Sequence, residues 1–334
     1  MKAIIKKFVC ILCIAFFLFS CDKSEPIVSL QKILDGYDVR AIAFDSKGNA
    51  WIVTSEYEFK NGEITNIIRY NEEETVVYNY KNSVLPKDLS VWNIVVDKKD
   101  NVWICTSDGV WKYDGIVFSL YNSKNTPMPE DIVWTIAVDS ENNIWMLSCR
   151  IRQGGLVKYD GKNWTVYTPN NSALPVNMIN GITIDNSDNV WLALGEYVGQ
   201  SYLVKISNDK WNVYDENDFG FNPYWYGGIQ CDSKGRVLVA ISYIFSSYMG
   251  PHFPDFFIFD GKNTTQLSKG NNISLSEINY FNDNVFCFGG VWSGEQWRPL
   301  NNSEFGWASG WLVKEDPYHR IWIGTENGIY IYAK

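Results

Sequence analysis

The feature that most constrains the fold is a repeat in which an aspartate, a short turn and a tryptophan follow one another. In each copy an apolar strand ends at the aspartate, and the tryptophan lies at the start of the next apolar strand, as in Asp97 to Trp103. The tryptophan position recurs at residues 51, 103, 145, 191, 238, 286 and 322, with leucine at 238 and phenylalanine at 286. The separations of 52, 42, 46, 47, 48 and 36 residues are typical of a four-stranded propeller blade. The sequence therefore predicts an all-β, seven-bladed β-propeller.

The turns and the two ends of the repeat favour the same fold. Asp-Gly pairs, which favour type I′ hairpins, join the last two strands of several copies, as at Asp114-Gly115 and Asp160-Gly161. The last copy contains only three strands, and residues 27–31 form a spare strand ahead of the first copy. Pairing this strand with the last three would remove exposed sheet edges. We therefore expect residues 27–334 to form one domain whose last blade is closed by the N-terminal strand.

The first 21 residues have the pattern of an export signal. Three lysines precede an apolar run over residues 8–19, which is shorter than the roughly 20 residues of a membrane-spanning helix. Residues 18–21, Leu-Phe-Ser-Cys, resemble the lipobox of bacterial lipoproteins, in which the cysteine is acylated. We expect a signal peptide over residues 1–21 with lipidation at Cys21, a tether over residues 22–26, and attachment to the outer membrane of a bacterial envelope. An uncleaved signal anchor is the alternative.

Charge and composition narrow the classes of partner. The formal net charge is −9, and both nucleic acids and anionic lipid surfaces require a basic patch. We therefore expect no nucleic acid partner, and membrane contact through the lipid only. Aromatic residues make up 16% of the chain, including 15 tryptophans, which implies an aromatic core, an aromatic binding surface, or both. Four isolated cysteines in apolar runs are expected to be small buried hydrophobes: Cys105, Cys149, Cys231 and Cys287.

The repeated tryptophan and aspartate are expected to be structural. Burying about 150–250 Å² of each indole at about 25 cal/mol per Å² gives an upper bound of roughly 4–6 kcal/mol per tryptophan. The aspartate is expected to accept hydrogen bonds from the backbone of its own turn. Calcium binding is an alternative at the oxygen-rich residues 185–189, but this segment lacks the glycine and distal glutamate of an EF-hand loop. We therefore expect no metal site.

Two segments resemble a known repeat family. Residues 102–113, VWICTSDGVWKY, and residues 321–330, IWIGTENGIY, resemble the two-component-regulator propeller repeat. In that family, such repeats form the exported sensor portion of hybrid histidine kinases that detect glycan fragments. This sequence shows no second propeller, Ig-like module, membrane helix or kinase after the repeats. The resemblance therefore implies a stand-alone lipoprotein form of the family and supports the fold more than direct signalling.

A candidate binding site follows from the repeat itself. Counting five residues back from each turn aspartate reaches the start of the inner strand, where the funnel of a propeller opens. Flat aromatic faces with a few polar partners suit sugar rings, and concave, partly aromatic sites commonly bind small ligands. The predicted ligand-binding residues are Arg40, Trp92, Trp134, Asn180 and Trp311, which the count reaches, together with Trp225 and Tyr226, which lie beside Gly227. The alternative is that these tryptophans pack between blades.

Catalytic groups are scarce in this sequence. The histidines are His252 and His319, and no nucleophile-elbow, P-loop, zinc-protease or paired-carboxylate spacing is present. A streptogramin-lyase-like enzyme would have to bring both histidines and a divalent metal together with Glu277 or Glu295. We therefore expect no enzyme activity and no cofactor.

The sequence thus predicts an exported, lipid-anchored propeller that binds a glycan or other small molecule at the funnel mouth, as an accessory to nutrient sensing or uptake. The alternative is a protein-interaction scaffold in the cell envelope. Its docking surface would include the aromatic insertion at residues 243–255, because binding residues often lie on loops held by a rigid scaffold.

Overall fold

The computed structural model describes eleven segments of the chain, in which most residues lie in β-strands. They are residues 29–58, 62–150, 153–195, 200–221, 226–241, 256–267, 278–281, 284–287, 290–293, 296–299 and 312–333. The one helix among them, α1 (Glu216–Phe219), has four residues, and nothing in these segments is a helix of the length and apolarity that crossing a membrane requires. Several predicted features lie outside them: Cys21, Trp225, His252, Glu277, Glu295, Trp311 and the insertion at residues 243–255.

The described strands form seven four-stranded antiparallel sheets. In sheets 1 to 6, four strands consecutive in the chain pair in order. Sheets 1 to 3 contain β2 (Asp38–Phe44), β3 (Ala50–Glu58), β4 (Gly62–Tyr70) and β5 (Thr75–Tyr78); β6 (Val91–Val96), β7 (Val102–Thr106), β8 (Gly109–Tyr113) and β9 (Phe118–Tyr121); and β10 (Val133–Val138), β11 (Ile144–Arg150), β12 (Gln153–Tyr159) and β13 (Trp164–Tyr167). Sheets 4 to 6 contain β14 (Ile179–Ile184), β15 (Val190–Gly195), β16 (Ser201–Ser207) and β17 (Lys210–Tyr214); β18 (Tyr226–Cys231), β19 (Val237–Ile241), β20 (Phe256–Phe259) and β21 (Thr264–Leu267); and β22 (Ile278–Phe281), β23 (Asn284–Cys287), β24 (Gly290–Ser293) and β25 (Gln296–Pro299).

Sheet 7 combines strands from both ends of the chain. It contains β26 (Leu312–Glu315), β27 (Ile321–Thr325), β28 (Gly328–Ala333) and the first strand, β1 (Ser29–Ile33). β1 pairs antiparallel with β28 from Ser29 opposite Ala333 to Ile33 opposite Ile329. The strand predicted at residues 27–31 is thus described from Ser29 and extends two residues further, to Ile33.

Successive sheets contact one another through their first strands. β2 contacts β6, β6 contacts β10, β10 contacts β14, β14 contacts β18, β18 contacts β22 and β22 contacts β26. β26 also contacts β2, so the last sheet lies against the first. The predicted all-β architecture of four-stranded sheets is confirmed.

The repeated tryptophans lie between sheets, as predicted. Trp191 of sheet 4 is fully buried and packs in one cluster with Ile229 and Val239 of sheet 5. Trp322 of sheet 7 packs with Ile42 and other apolar residues of sheet 1. The same position is buried in each complete copy of the repeat: Trp51, Trp103, Trp145, Trp191 and Trp322.

Each repeated aspartate organises its own turn. The Asp97 carboxylate accepts hydrogen bonds from the backbone N–H groups of Lys99 and Asn101 at 2.8 and 3.0 Å. This confirms the predicted role of the turn aspartate. The carboxylate also accepts a bond from Nε1–H of Trp103 at 2.9 Å, which sequence analysis did not predict. The same indole bond occurs at Asp45, Asp139, Asp185 and Asp316.

Neighbouring turns are also joined to each other. The backbone N–H and the hydroxyl of Ser46 donate to the two carboxylate oxygens of Asp100, in the next turn, at 2.8 and 2.7 Å. In the same way, the N–H of Lys98 donates to Oδ1 of Asn142 at 2.7 Å. Asp100 and Asn142 have φ of 60° and 67°, a conformation that aspartate and asparagine tolerate better than most residues. These bonds hold adjacent sheets together at the end that carries the turns, which we call the turn end.

The cysteines with described side chains behave as small apolar residues. Cys105 is buried and Cys231 is half-buried, and both are free thiols. Burial raises the pKa of the Cys105 thiol, and it raises the pKa of Cys231 to about 12. Neither thiol is therefore ionised near neutral pH, which agrees with the predicted packing role.

Candidate functional site

The predicted site residues lie where the inner strands depart from regular pairing. In β2 the register shifts between Val39 and Ala41, so Arg40 is an extra residue in the ladder. The next three inner strands have corresponding register shifts. The residues without a partner in the ladder are Trp92 in β6, Trp134 and Thr135 in β10, and Asn180 in β14. Such β-bulges redirect side chains and are common beside functional sites. We call this end of the sheets, opposite the turn end, the bulge end.

Trp92 and Trp134 meet at the bulge end. Their ring centroids lie 4.5 Å apart with an angle of 44° between the ring planes. The two residues are 44% and 43% exposed, and they belong to sheets 2 and 3, so their rings contact each other across neighbouring sheets and remain partly open to solvent. Below them, Nδ2 of Asn93 donates to Oγ1 of Thr135 at 2.9 Å, which joins the two strands that carry the pair. The two tryptophans therefore form an aromatic pair that is exposed to solvent and is carried by two strands joined by a hydrogen bond.

A cleft lies beside this pair, between sheets 1 and 2. Its volume is about 460 Å³, and it is lined by Arg40, Trp92, the end of the β3–β4 hairpin and the connection that leads into β6. That connection is anchored to both sheets. Oγ1 of Thr65 donates to the carbonyl of Leu89 at 2.7 Å, and the N–H of Ser107 donates to the carbonyl of Ser90 at 3.3 Å. The cleft wall therefore belongs to the rigid part of the molecule.

Charge in the cleft is nearly balanced. Arg40 lies 2.5 Å from an Asp38 oxygen and 3.9 Å from a Glu63 oxygen, and its side chain is 54% exposed. Lys87 and Asp88 add one charge of each sign to the lining. The guanidinium is thus oriented by carboxylates of its own sheet, and its other N–H groups can still donate to a ligand.

The remaining predicted site residues differ in how far the structure describes them. Asn180 is half-buried at the bulge of β14, and its Nδ2 donates to the carbonyl of Gly195 at 3.1 Å. Tyr226 begins β18, opposite Ile241, and its side chain is outside the described part. Trp225 and Trp311 lie outside the described residues altogether. The structure therefore brings together Arg40, Trp92 and Trp134, and it places Asn180 at the same end of the next inner strand.

His319 lies at the other end of the molecule. It is in the turn between β26 and β27, as predicted, with φ of 64°. Its Nδ1 lies 2.6 Å from Oε1 of Glu315, and its side chain is 85% exposed. No group of three or more His, Cys, Asp or Glu side chains among the described residues could hold a metal ion.

Fold and site together define a β-propeller with an open aromatic pair at the ends of its inner strands. No protein-family model matches the sequence, and no curated protein matches it. Solved structures do match in fold. One is the extracellular domain of a protein described as the hybrid two-component system BT3049 of B. thetaiotaomicron. It has 17% identity and a TM-score of 0.65, with 92% of this chain and 41% of that chain covered.

Two further matches have different functions. PorZ, a surface component of the type-IX secretion system of Porphyromonas gingivalis, has 11% identity and a TM-score of 0.64, with 88% of this chain and 46% of that chain covered. Virginiamycin B lyase of Staphylococcus aureus has 14% identity and a TM-score of 0.63, with 91% and 98% covered. The chain spans about two fifths of the length of the extracellular domain of BT3049. At these identities the likeness shows the propeller fold, and function has to be argued from the site.

Proposed function

We propose that this protein is an exported, lipid-anchored, seven-bladed β-propeller that binds a glycan or other small ligand at the Trp92–Trp134 pair. The observation that carries the proposal is the exposure of two indoles in contact at neighbouring bulges, beside a cleft that contains Arg40. Exposed aromatic faces next to oriented polar groups are a common arrangement for sugar rings, because C–H faces stack on the aromatic ring and hydroxyls need hydrogen-bond partners.

The number and closure of the blades have their own support. Seven four-stranded sheets are present in the described part of the chain. Their first strands contact one another in chain order, and β26 contacts β2. The pairing of β1 with β28 also removes two sheet edges that would otherwise be open. These contacts favour a closed ring of seven blades.

Export and anchoring rest on the N-terminal sequence. The lysines, the short apolar run and the lipobox-like residues 18–21 support cleavage before Cys21 and acylation of its thiol. The extracellular location of the two-component-system domain with the same fold supports export. Two or more acyl chains at Cys21 would hold the propeller at a bilayer surface without a spanning helix. Mass spectrometry of the mature N-terminus tests this, and an unmodified Cys21 would contradict it.

Glycan binding can be tested directly on the full mature chain. Screening on a glycan array, followed by calorimetric titration of each hit, should identify a sugar whose affinity falls at least tenfold in both Trp92→Ala and Trp134→Ala. Tyr318→Ala is the matched control, because Tyr318 is an aromatic residue 62% exposed at the turn end. Equal affinity in the wild type and both tryptophan variants would contradict the proposed site.

A protein-interaction scaffold is the second candidate. Exposed tryptophans are enriched among the residues that contribute most to protein interfaces, and the fold is shared with the secretion-system surface component PorZ. In this case the array should give no sugar hit. An envelope protein should instead cross-link to the chain, and deletion of residues 243–255 or the Trp92→Ala change should abolish that cross-link.

We propose no catalytic role. His319 is at the turn end, away from the aromatic pair, and is already paired with Glu315. Activity of the lyase type would need His252 and a divalent metal. Turnover of a streptogramin that is lost both on chelation and in His252→Ala would therefore replace the binding proposal with an enzymatic one.

A further inference from the structure

The cleft beside Trp92 exists because the central hairpin of sheet 1 is longer than the central hairpins of the two neighbouring sheets, 2 and 7. β3 and β4 have nine residues each. In sheet 2 the corresponding strands β7 and β8 have five each, and in sheet 7 β27 and β28 have five and six. The extra length carries Glu63 past the start of the inner strand. Glu63 lines the cleft together with Ser55, which lies opposite Asp38, the first residue of that strand.

The longer hairpin also changes the surroundings of a repeated hydroxyl. The third residue after the repeated tryptophan is Thr106 in sheet 2 and Thr325 in sheet 7. Each hydroxyl donates to a carbonyl across its hairpin turn, Thr106 to Gly109 at 2.8 Å and Thr325 to Gly328 at 2.9 Å. In sheet 3, Ser148 at this position donates to the carbonyl of Glu130 at 2.6 Å. The position is thus normally satisfied within its own repeat.

In sheet 1 this hydroxyl is left without a partner. Thr54 pairs with Asn66 in the middle of the long hairpin, so no turn carbonyl lies across from its side chain. Thr54 is fully buried, its Oγ1 has no hydrogen-bond partner within the protein, and it belongs to the lining of the cleft. A buried hydroxyl without a partner is unfavourable, and a ligand group that supplied the partner would remove that cost.

We infer that the cleft is a second subsite, continuous with the aromatic pair, and that the ligand is an uncharged oligosaccharide. One sugar ring lies on Trp92 and Trp134, the next enters the cleft, and a hydroxyl of that second sugar bonds to Thr54. Trp92 makes the two subsites contiguous, because its ring contacts that of Trp134 and it also lines the cleft. This inference rests on the proposed function and extends it from a surface stack to a chain of at least two sugars.

The charges favour an uncharged ligand. The cleft contains Arg40 and Lys87 together with Glu63 and Asp88, and the Arg40 guanidinium is already held by Asp38. An anionic glycan would require cations in excess of carboxylates, because its own charge must be compensated on desolvation. Sugar hydroxyls both donate and accept. They match the mixture of serine hydroxyls, carboxylate oxygens and guanidinium N–H groups found here. The volume of about 460 Å³ lies within the range of small-molecule sites.

The test uses the full mature chain and defined probes. Gluco-, xylo- and manno-oligosaccharides of one to five sugars would be titrated calorimetrically, with oligogalacturonides of the same lengths as anionic counterparts. We expect affinity for at least one neutral series to rise tenfold or more between one and three sugars, and the oligogalacturonides to bind at least tenfold more weakly than that series. Thr54→Val should weaken binding of the trisaccharide about three- to tenfold while leaving the monosaccharide unchanged.

Thr106→Val is the matched control, because it removes a hydroxyl that is satisfied within the protein. It should lower the melting temperature without changing affinity, whereas Thr54→Val should leave the melting temperature unchanged or raise it. Binding that depends on Trp92 and Trp134 but not on chain length or Thr54 would overturn the second subsite and leave the proposed function intact. Preference for the oligogalacturonides would overturn the uncharged ligand. Absence of binding to every probe, or binding unaffected by Trp92→Ala and Trp134→Ala, would overturn both proposals.

Discussion

The two ends of the sheets use the same residue types for different purposes. At the turn end, tryptophans such as Trp103 and Trp191 are at most 1% exposed, and each donates its indole N–H to an aspartate. At the bulge end, Trp92 and Trp134 are more than 40% exposed and their tilted rings contact each other. At the turn end each repeated aspartate accepts hydrogen bonds from the backbone of its own turn, whereas towards the bulge end the Thr54 hydroxyl has no partner. The proposed binding site fits this contrast: buried tryptophans stabilise the turn end, and the bulge end carries the exposed aromatic pair.

The largest effect should come from removing a buried tryptophan. Trp191→Ala deletes a fully buried indole that joins sheets 4 and 5, so we expect a loss of about 3–5 kcal/mol in the free energy of unfolding. Trp92→Ala should cost less than about 1 kcal/mol, since its ring is already partly hydrated. Urea denaturation of both variants measures the difference, and similar losses would remove the distinction between the two ends.

The turn aspartate should have the next largest effect. Asp97→Ala leaves the indole N–H of Trp103 and two backbone N–H groups without their acceptor in a buried turn, and we expect a loss of about 2–4 kcal/mol. Asp260→Ala, in an exposed hairpin turn with equivalent backbone bonds, should cost much less. Thermal unfolding compares the two variants, and an equal fall in melting temperature would show that the indole bond adds nothing.

The junction of the last and first sheets should be sensitive to a single methyl group. Gly48 has φ of +80°, and a Cβ atom there would lie 2.5 Å from the ring of Tyr318. We expect Gly48→Ala to lower stability by about 1–2 kcal/mol through backbone strain and this clash. Gly115→Ala is the control, because Gly115 also has positive φ but no atom within 4 Å of the added Cβ. If the two variants lose the same stability, Tyr318 does not restrict this junction.

The aromatic pair should act as a unit in binding. A double-mutant cycle of Trp92→Ala and Trp134→Ala should give a coupling energy of about 1 kcal/mol in ligand affinity, because aromatic rings in contact stabilise each other beyond the area they bury. Calorimetric titration of the two single variants and the double variant against an array hit measures it. A coupling energy of zero would mean that the two rings contact the ligand independently.

The smallest effect concerns the bond between neighbouring turns. Hydrogen bonds from the hydroxyl and the backbone N–H of Ser46 lower the pKa of Asp100. Because the folded pKa lies below the unfolded one, this contribution to stability is present above the unfolded pKa and is lost as the pH falls through the folded pKa. Ser46→Ala should therefore be less stable than the wild type at pH 6, and the difference should shrink at pH 2. Denaturation across this pH range tests it, and a constant difference would exclude Asp100 as its source.

Much of the fold could be predicted because its signals are local. The aspartate and tryptophan of each repeat lie six residues apart, within one hairpin, so the sequence pattern alone indicates both the turn and the buried position. The fixed offset of five residues from the aspartate also selected Arg40, Trp92 and Asn180, but the bulges at these positions were not predicted and are seen only in the strand pairing. The indole hydrogen bond was missed although its two partners were both identified, because side-chain direction within the turn depends on the backbone conformation.

The candidate site could be predicted only in part. The sequence places Trp92 and Trp134 at equivalent positions, but they are 42 residues apart and belong to different sheets. Whether their rings face solvent or pack between sheets depends on the spacing of β6 and β10, which the sequence pattern does not state. The cleft was not predicted, since it arises from a difference in hairpin length between sheet 1 and its neighbours.

The amino-acid sequence by itself therefore determined the repeating unit, because alternation, turn chemistry and tryptophan spacing act within a few residues of one another. Only the tertiary structure decided that the tryptophans of two bulges contact each other and are exposed to solvent. It also decided that the Thr54 hydroxyl has no hydrogen-bond partner and lies beside a cleft. Those features depend on how separate sheets are placed against each other, and that placement results from packing between residues distant in the chain.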